Sequence, residues 1–361
     1  MKKSMVLINA LVSMLLVASC VPSSQLVGID GGIGGTGVQQ WEGGIGGTGI
    51  VGTITGFGSI IVGGVHVQYD EATPVASMMG AEESANLKIG QVVNVEAYGK
   101  NGKLVARRIE IRHVLTGVVN EVNVAQGVLR VMGQTVRITD RNLFNAAVQH
   151  STVRLTTVRP GDTIMVSGLR NGDIVEATRF DMAPRSNMAG VSGTVTKVGK
   201  GFVEVDGVGV SISSSRASLL SVGRVVSVQG RAEGNRINAL TGIVELADEK
   251  PFGGRVKNLI VEGYPSRAPG GRANLFGMAI TPDVAIHNSR VLAYGRQLNQ
   301  GNYEVLGLST LNSKNLRERP QFPQSVLGTP NANRGSLRSG GREGNSSRGG
   351  GRGGSSSGGR R

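Results

Sequence analysis

The chain has 361 residues, with 39 Lys+Arg against 25 Asp+Glu, 57 glycines, four histidines and one cysteine. A single cysteine excludes an internal disulfide scaffold, the shortage of Cys and His argues against a zinc module, and glycines without a G-X-Y period exclude collagen. The net charge of +14 is unevenly placed: residues 312–361 hold ten basic and two acidic side chains, whereas 21–311 hold 27 and 23, so basicity describes a tail more than a body.

Residues 1–19 read as a secretory signal. Lys2 and Lys3 are followed by an almost wholly apolar run from Met5 to Val17, then by Ala18 and Ser19. The run is too short to span a bilayer, which takes about 20 apolar residues. Val17-Ala18-Ser19-Cys20 resembles the bacterial lipobox. That resemblance implies cleavage before Cys20 and its lipidation, and hence anchorage, because several acyl chains hold where one binds only marginally. The plainer reading is an ordinary signal with a chance cysteine. Val21 and Pro22 follow with no acidic residue at the second position, which in enteric-type sorting implies the outer membrane.

Residues 20–50 form a Gly-rich stem in which G-G-I-G-G-T-G occurs at 31–37 and again at 43–49. Each copy contains G-x-G-x-x-G, but neither lies between a strand and a helix, so a dinucleotide site is not indicated. A flexible stem is the expected role. The alternative is a bare backbone docked on a barrel edge.

Three segments then repeat a β pattern, at 51–116, 117–184 and 190–248. Each opens with alternating β-formers and reaches a turn, at Gly63-Gly64, Met132-Gly133 and Asp206-Gly207, of which Gly-Gly and Asp-Gly are two-residue hairpin signals. Downstream, Gly90, Gly161 and Gly223 each lead a strand. The third and fifth residues after them are Val93 and Val95, Ile164 and Val166, Val226 and Val228. Apolar residues in phase at period two predict one buried face. Another turn (Asn101-Gly102, Asn171-Gly172, Gly234-Asn235) and a last strand close each unit. The middle connection varies, and a short helix is expected over Ser77–Leu87, with hardly room for one in the third repeat. About five antiparallel strands per unit predict an all-β chain of tandem small five-stranded OB-like barrels, since closure removes exposed edges. A stack of open meanders is the alternative. A degenerate fourth module is expected at 251–311, its register interrupted by Pro and Gly at 265–271.

The lead-in G-I-G-G-T-G-I with G-T-I-T-G-F-G-S-I-I-V-G-G-V, centred on Gly56-Phe57-Gly58-Ser59-Ile60, resembles a family of bacterial lipoproteins of unknown function built of repeated β modules. The motif covers about 43–67, and the weaker repeat pattern extends to about 247. The second and third repeats lack G-F-G-S. The resemblance implies a fold and an address and carries no active site.

No catalytic, cofactor or metal site is expected. His66, His113, His150 and His287 have no ligand-like spacing, neither G-x-S-x-G nor H-E-x-x-H occurs, and Asp70-Glu71 and Glu82-Glu83 read as solvated surface. Nucleic-acid binding by the barrels is disfavoured, because Phe57, Tyr69, Tyr98, Phe144, Phe180 and Phe202 do not recur at matching positions as stacking platforms. Residues 312–361 lack the apolar content to fold and are expected to be disordered. Their Arg334, Arg338, Arg342, Arg348, Arg352, Arg360 and Arg361 are candidate polyanion-binding residues, directed at lipopolysaccharide, acidic polymer or nucleic acid. The reading is a non-enzymatic binding or scaffolding protein, exported and lipid-anchored through Cys20. Its expected partners are the membrane and envelope polyanions or another envelope protein. Polyanion capture by the tail is the competing function, and a hydrolase is the third class.

Overall fold

The computed structural model describes residues 47–311 apart from 78–79, 83–85, 101–102, 149–152, 186, 247–251, 253–254, 268–272, 276–277, 281–288 and 300–301. The first repeat contains β1 (Gly47–Gly56), β2 (Ile60–Val62), β3 (Val65–Gln68), β4 (Val75–Ser77), β5 (Gly80–Glu82), β6 (Val92–Lys100) and β7 (Lys103–Arg112). The second contains β8 (Leu115–Asn123), β9 (Val128–Val131), β10 (Gln134–Arg137), helix α1 (Arg141–Val148), β11 (Thr163–Asn171) and β12 (Ile174–Met182). The third contains β13 (Met188–Gly199), β14 (Phe202–Val205), β15 (Val208–Ser211), helix α2 (Ser214–Ala217), β16 (Val225–Glu233) and β17 (Arg236–Leu246).

All three close into the same ring. The long first strand pairs antiparallel with the second and the fourth, as β1 does with β2 and β6, β8 with β9 and β11, and β13 with β14 and β16. Second and third strands form a tight hairpin, and fourth and fifth form a longer one. A parallel pairing of third strand with fifth completes each circle: Val67 opposite Leu104, Val136 opposite Val175, and Val210 opposite Ile237. This is the five-stranded OB-like barrel, written three times, with a variable connection between third and fourth strands.

The alternating pattern explains the ring. Val93, Val95, Ile164, Val166, Val226 and Val228 are all fully buried, each burial supplying about 1.5–3 kcal/mol of transfer free energy. The second-to-third hairpins turn at Gly63-Gly64 (φ 56° and 73°), Met132-Gly133 (51° and 76°) and Asp206-Gly207 (44° and 81°). Positive φ at both central residues gives the turn whose twist matches the flanking strands.

The first strand of each barrel also carries a glycine that leaves a slot. A Cβ at Gly117 would overlap the Met132 side chain, and one at Gly193 would overlap the Asp206 carboxylate. Those two barrels therefore fill the slot with their own turn residue. The first barrel has Gly63 at that turn, so its slot over Gly52 stays open. Glu262 enters it instead, with Oε2 2.9 Å from where a Gly52 Cβ would stand.

Glu262 belongs to the fourth unit, made of β18 (Val256–Gly263), β19 (Ser266–Arg267), β20 (Ala273–Leu275), β21 (Met278–Ile280), β22 (Val291–Asn299) and β23 (Asn302–Thr310). Here β18 pairs with β22 and β22 with β23, both antiparallel, while β19, β20 and β21 form a separate three-stranded sheet. Leu275, Met278, Ile280, Val291 and Tyr303 pack with Val256, Leu259 and Val261 in a cluster that also takes in Val51 of β1. Parallel pairing of β18 with β1 joins this unit to the first barrel, and pairing of β13 with β8 joins the third to the second.

Three expectations are corrected. Ser77–Leu87 does not open as a helix: Val75–Ser77 pairs with Gly80–Glu82 as a hairpin, and β4 lies parallel on β7. The Ser77 hydroxyl donates to Glu82 across that hairpin, and Val75 is buried, so packing on β7 overrides local helical preference. The third repeat does admit one helical turn, capped where Ser213 Oγ accepts from the Arg216 amide. In addition, β1 begins at Gly47, so the end of the second G-G-I-G-G-T-G copy is strand. Glycine is needed there, because a Cβ at Gly49 would overlap the Phe252 ring.

Candidate functional site

Cys20 and Arg334, Arg338, Arg342, Arg348, Arg352, Arg360 and Arg361 lie outside the described residues. The candidate site within them is a cleft of about 400 Å³ at one end of the second barrel, a volume in the range of small-molecule pockets. Its floor is apolar: Ile138 at the end of β10, Phe144 on α1 and Leu155 from the loop before β11. Phe144 is held by the core, packed edge-on against Phe180 with centroids 4.9 Å apart. Helix α1 starts where it does because Asp140 caps it, Oδ1 accepting from the Leu143 amide at 2.9 Å. That start presents Arg141 and Asn145 at the rim, and Arg154 and Thr156 face them from the loop. The Arg141 guanidinium overhangs Gly127, with Nη2 3.6 Å from where a Cβ would stand.

Some ionic groups elsewhere bridge neighbouring barrels, as Lys88–Asp181 and Arg170–Asp206 do, and others brace a single barrel, as Lys197–Glu204 does. Arg179, almost fully buried, donates from Nε and Nη2 to the two Asp181 oxygens at 2.7 Å each. Its Nη1 donates to the Ala147 carbonyl at 2.8 Å and, across to the first barrel, to the Ile89 carbonyl at 3.2 Å. Thr178 donates to the Gly90 carbonyl at 2.6 Å alongside. His113, on the link between the same two barrels, is buried, and its pKa is pushed down to about 4. Desolvation is the main cause, with Arg179 adding to it and Asp181 opposing it. Between second and third barrels, Arg170 stands 3.0 Å from Asp206; burial pushes the Asp206 carboxyl up while Arg170 pulls it down.

At the junction with the fourth unit, Arg290 Nε donates to Glu262 Oε1 at 2.5 Å and its Nη2 donates to Thr53 Oγ1 at 2.9 Å. The Thr53 amide donates to Glu262 Oε2 at 2.6 Å. Arg137 and Thr139 both donate to Glu176 within the second barrel. Tyr264 feels both clusters, and burial is the main reason its hydroxyl pKa lies above the ordinary value. None of these groups was singled out from the sequence. Glu262 did leave a signal, an acid directly after the apolar run Leu259–Val261 within one predicted strand.

Ser59 Oγ and His66 Nδ1 lie 3.0 Å apart at an exposed position, a surface hydrogen bond beside the G-F-G-S turn. Phe57 and Tyr98 are partly exposed aromatics of the first barrel, whereas Phe144 and Phe180 are core and Phe202 lies under Arg236. Among the described residues there is no cluster of three or more His, Cys, Asp or Glu side chains that could hold a metal, and no helix is long and apolar enough to cross a membrane.

The fold thus defines a protein of tandem OB-like barrels. The family model described as Domain of unknown function (DUF5666) matches it twice, over residues 48–110 and 116–179, which are the first two barrels. Both matches agree with a repeated small β module. Comparison with curated proteins finds no match.

Proposed function

We propose that this chain is an exported lipoprotein, anchored through Cys20 on the envelope side of a bacterial membrane, where its barrels act as a binding and scaffolding body. The observation that carries the reading is the sequence Val17-Ala18-Ser19-Cys20 behind a basic, apolar leader, placed ahead of tandem barrels joined to one another. Barrels tied to one another by strand pairing and by polar contacts such as Arg179 to the Ile89 carbonyl and Arg170 to Asp206 suit a rigid presenting surface, which is what a scaffold held at a membrane needs. Absence of an acidic residue after Cys20 favours the outer membrane.

The test is metabolic labelling with a radioactive fatty acid, followed by membrane fractionation, of the wild type and of Cys20→Ala. Label and membrane association in the wild type, both lost in the variant, support the reading; equal labelling of the two contradicts it. A second reading is capture of envelope polyanions by the segment from Arg334 to Arg361, and the ten basic residues among 312–361 favour it. Deleting 312–361 and measuring retention on lipopolysaccharide at rising salt tests that reading. Retention unchanged by the deletion sets it aside.

A further inference from the structure

The cleft on the second barrel lies where the repeats differ most. The connection between third and fourth strands is a β-hairpin in the first barrel and a one-turn helix in the third. In the second it is the two-turn helix α1 followed by a longer loop, and residues 141–161 carry three arginines and no carboxylate. A segment that only had to plug the barrel end would need neither the cleft nor that charge.

Two of the arginines, Arg141 and Arg154, reach the cleft from separate elements and are exposed. Neither is ion-paired with a carboxylate among the described residues, in contrast to Arg137 and Arg179 of the same barrel. The third, Arg159, donates from Nη1 to the Thr156 and Val158 carbonyls at 2.8 and 3.3 Å, which folds the loop and adds positive charge behind it. The carboxylates that flank the segment, Asp140 and Asp162, accept from the Leu143 and Arg159 backbone amides. A guanidinium fork recognises carboxylate and phosphate by paired, charge-assisted hydrogen bonds. Asn145 and Thr156 offer neutral polar atoms beside the forks, and Phe144 and Leu155 offer an apolar wall.

We propose that this cleft binds a sugar-sized ligand bearing a carboxylate or a phosphate. Arg141 and Arg154 hold the anionic group, Asn145 and Thr156 meet hydroxyls, and the ring lies on the Phe144 wall. The proposal stands apart from the anchoring reading, because it concerns the barrel alone and holds whether or not Cys20 is acylated.

The test is calorimetric titration of the full chain at low salt with glucuronate, with glucose 6-phosphate and with glucose as the neutral control, repeated on Arg141→Gln and Arg154→Gln. Amide shifts at Gly127 and Thr156 report the location, and thermal unfolding verifies that the variants are folded. The expected result is saturable binding of at least one anionic sugar, at least tenfold weaker in each variant, with glucose at least tenfold weaker than that anion. Which anion binds more tightly distinguishes uronic acid from sugar phosphate as the source. Three results overturn the proposal: no saturable binding of either anion, glucose binding as tightly as the anions, or unchanged affinity in both folded variants.

Discussion

Replacing Arg179 with Met removes the side chain that ties the second barrel to the first. Arg179 is 1% exposed and makes four hydrogen bonds, two to Asp181, one to the Ala147 carbonyl and one to the Ile89 carbonyl. Methionine fills much of the volume and supplies none of these donors. Asp181 is left with Lys88 at 3.9 Å as its remaining cation, and the Ala147 and Ile89 carbonyls lose a donor inside the joint. Breaking a buried pair from one side costs about 3–5 kcal/mol, because the other charge stays uncompensated. With a urea slope of about 2 kcal/mol/M, the unfolding midpoint falls by roughly 2 M. The informative control is Arg179→Met combined with Asp181→Leu, which removes both charges. Replacing a whole buried pair by apolar groups is often neutral, so the double variant recovers most of the loss. A single variant within about 0.5 kcal/mol of wild type refutes the reasoning. So does a double variant as unstable as the single one.

Three further outcomes follow from the same joints. His113 has a native pKa of about 4 against an ordinary 6.5, so it folds neutral while the unfolded chain takes up a proton as pH falls. His113's contribution is therefore fully present above pH 6.5 and is lost between 6.5 and 4, by about 3 kcal/mol, and urea titrations across that window show a steeper fall in stability for wild type than for His113→Asn; equal slopes contradict it. Gly90 and Gly223 hold the same place in their repeats at φ 86° and 92°, but a Cβ at Gly90 would stand 2.6 Å from the Thr178 carbonyl oxygen whereas one at Gly223 meets nothing within 4 Å. Gly223→Ala then costs about 1–2 kcal/mol of backbone strain, and Gly90→Ala costs measurably more in the same denaturation assay; equal losses contradict a packed joint. Gly63→Met, which places at the first hairpin turn the residue that Met132 supplies in the second, presses on Leu292 of β22, whose Cδ1 is 2.9 Å from where a Gly63 Cβ would stand, and fills the slot over Gly52 in place of Glu262, so hydrogen exchange in β18 accelerates at least tenfold while β6 and β7 stay protected; Gly63→Ala, which meets Leu292 without reaching the slot, leaves β18 protected, and unchanged β18 protection in Gly63→Met contradicts the slot.

The barrels were legible because two signals in the chain are local. Valines at period two mark an inward face whatever the fold, and glycine or aspartate before glycine marks a turn that needs positive φ. The connection at Ser77–Leu87 was not legible, because its state depends on β7 lying alongside to pair with β4, which local propensity does not encode. The fourth unit was weakly legible, since its opening strand follows the repeat while its middle is interrupted by Pro265 and Gly270. Its parallel seat on β1 depends on the absence of a side chain at Gly63, a feature whose meaning appears only beside Met132 and Asp206. The candidate cleft escaped for a similar reason. Arg141 and Arg154 are 13 positions apart, and only the fold of the loop before β11 sets them on one rim.

Closure of each repeat through a parallel contact of its third and fifth strands is what makes the chain a row of barrels. The direct measurement is cross-strand proton NOEs across those contacts, Val67 with Leu104, Thr135 with Ile174 and Gly209 with Arg236. The account predicts NOEs in all three, together with slow amide exchange at each contact. Their absence, with the third strands free of the fifth and exchanging as open edges, contradicts it.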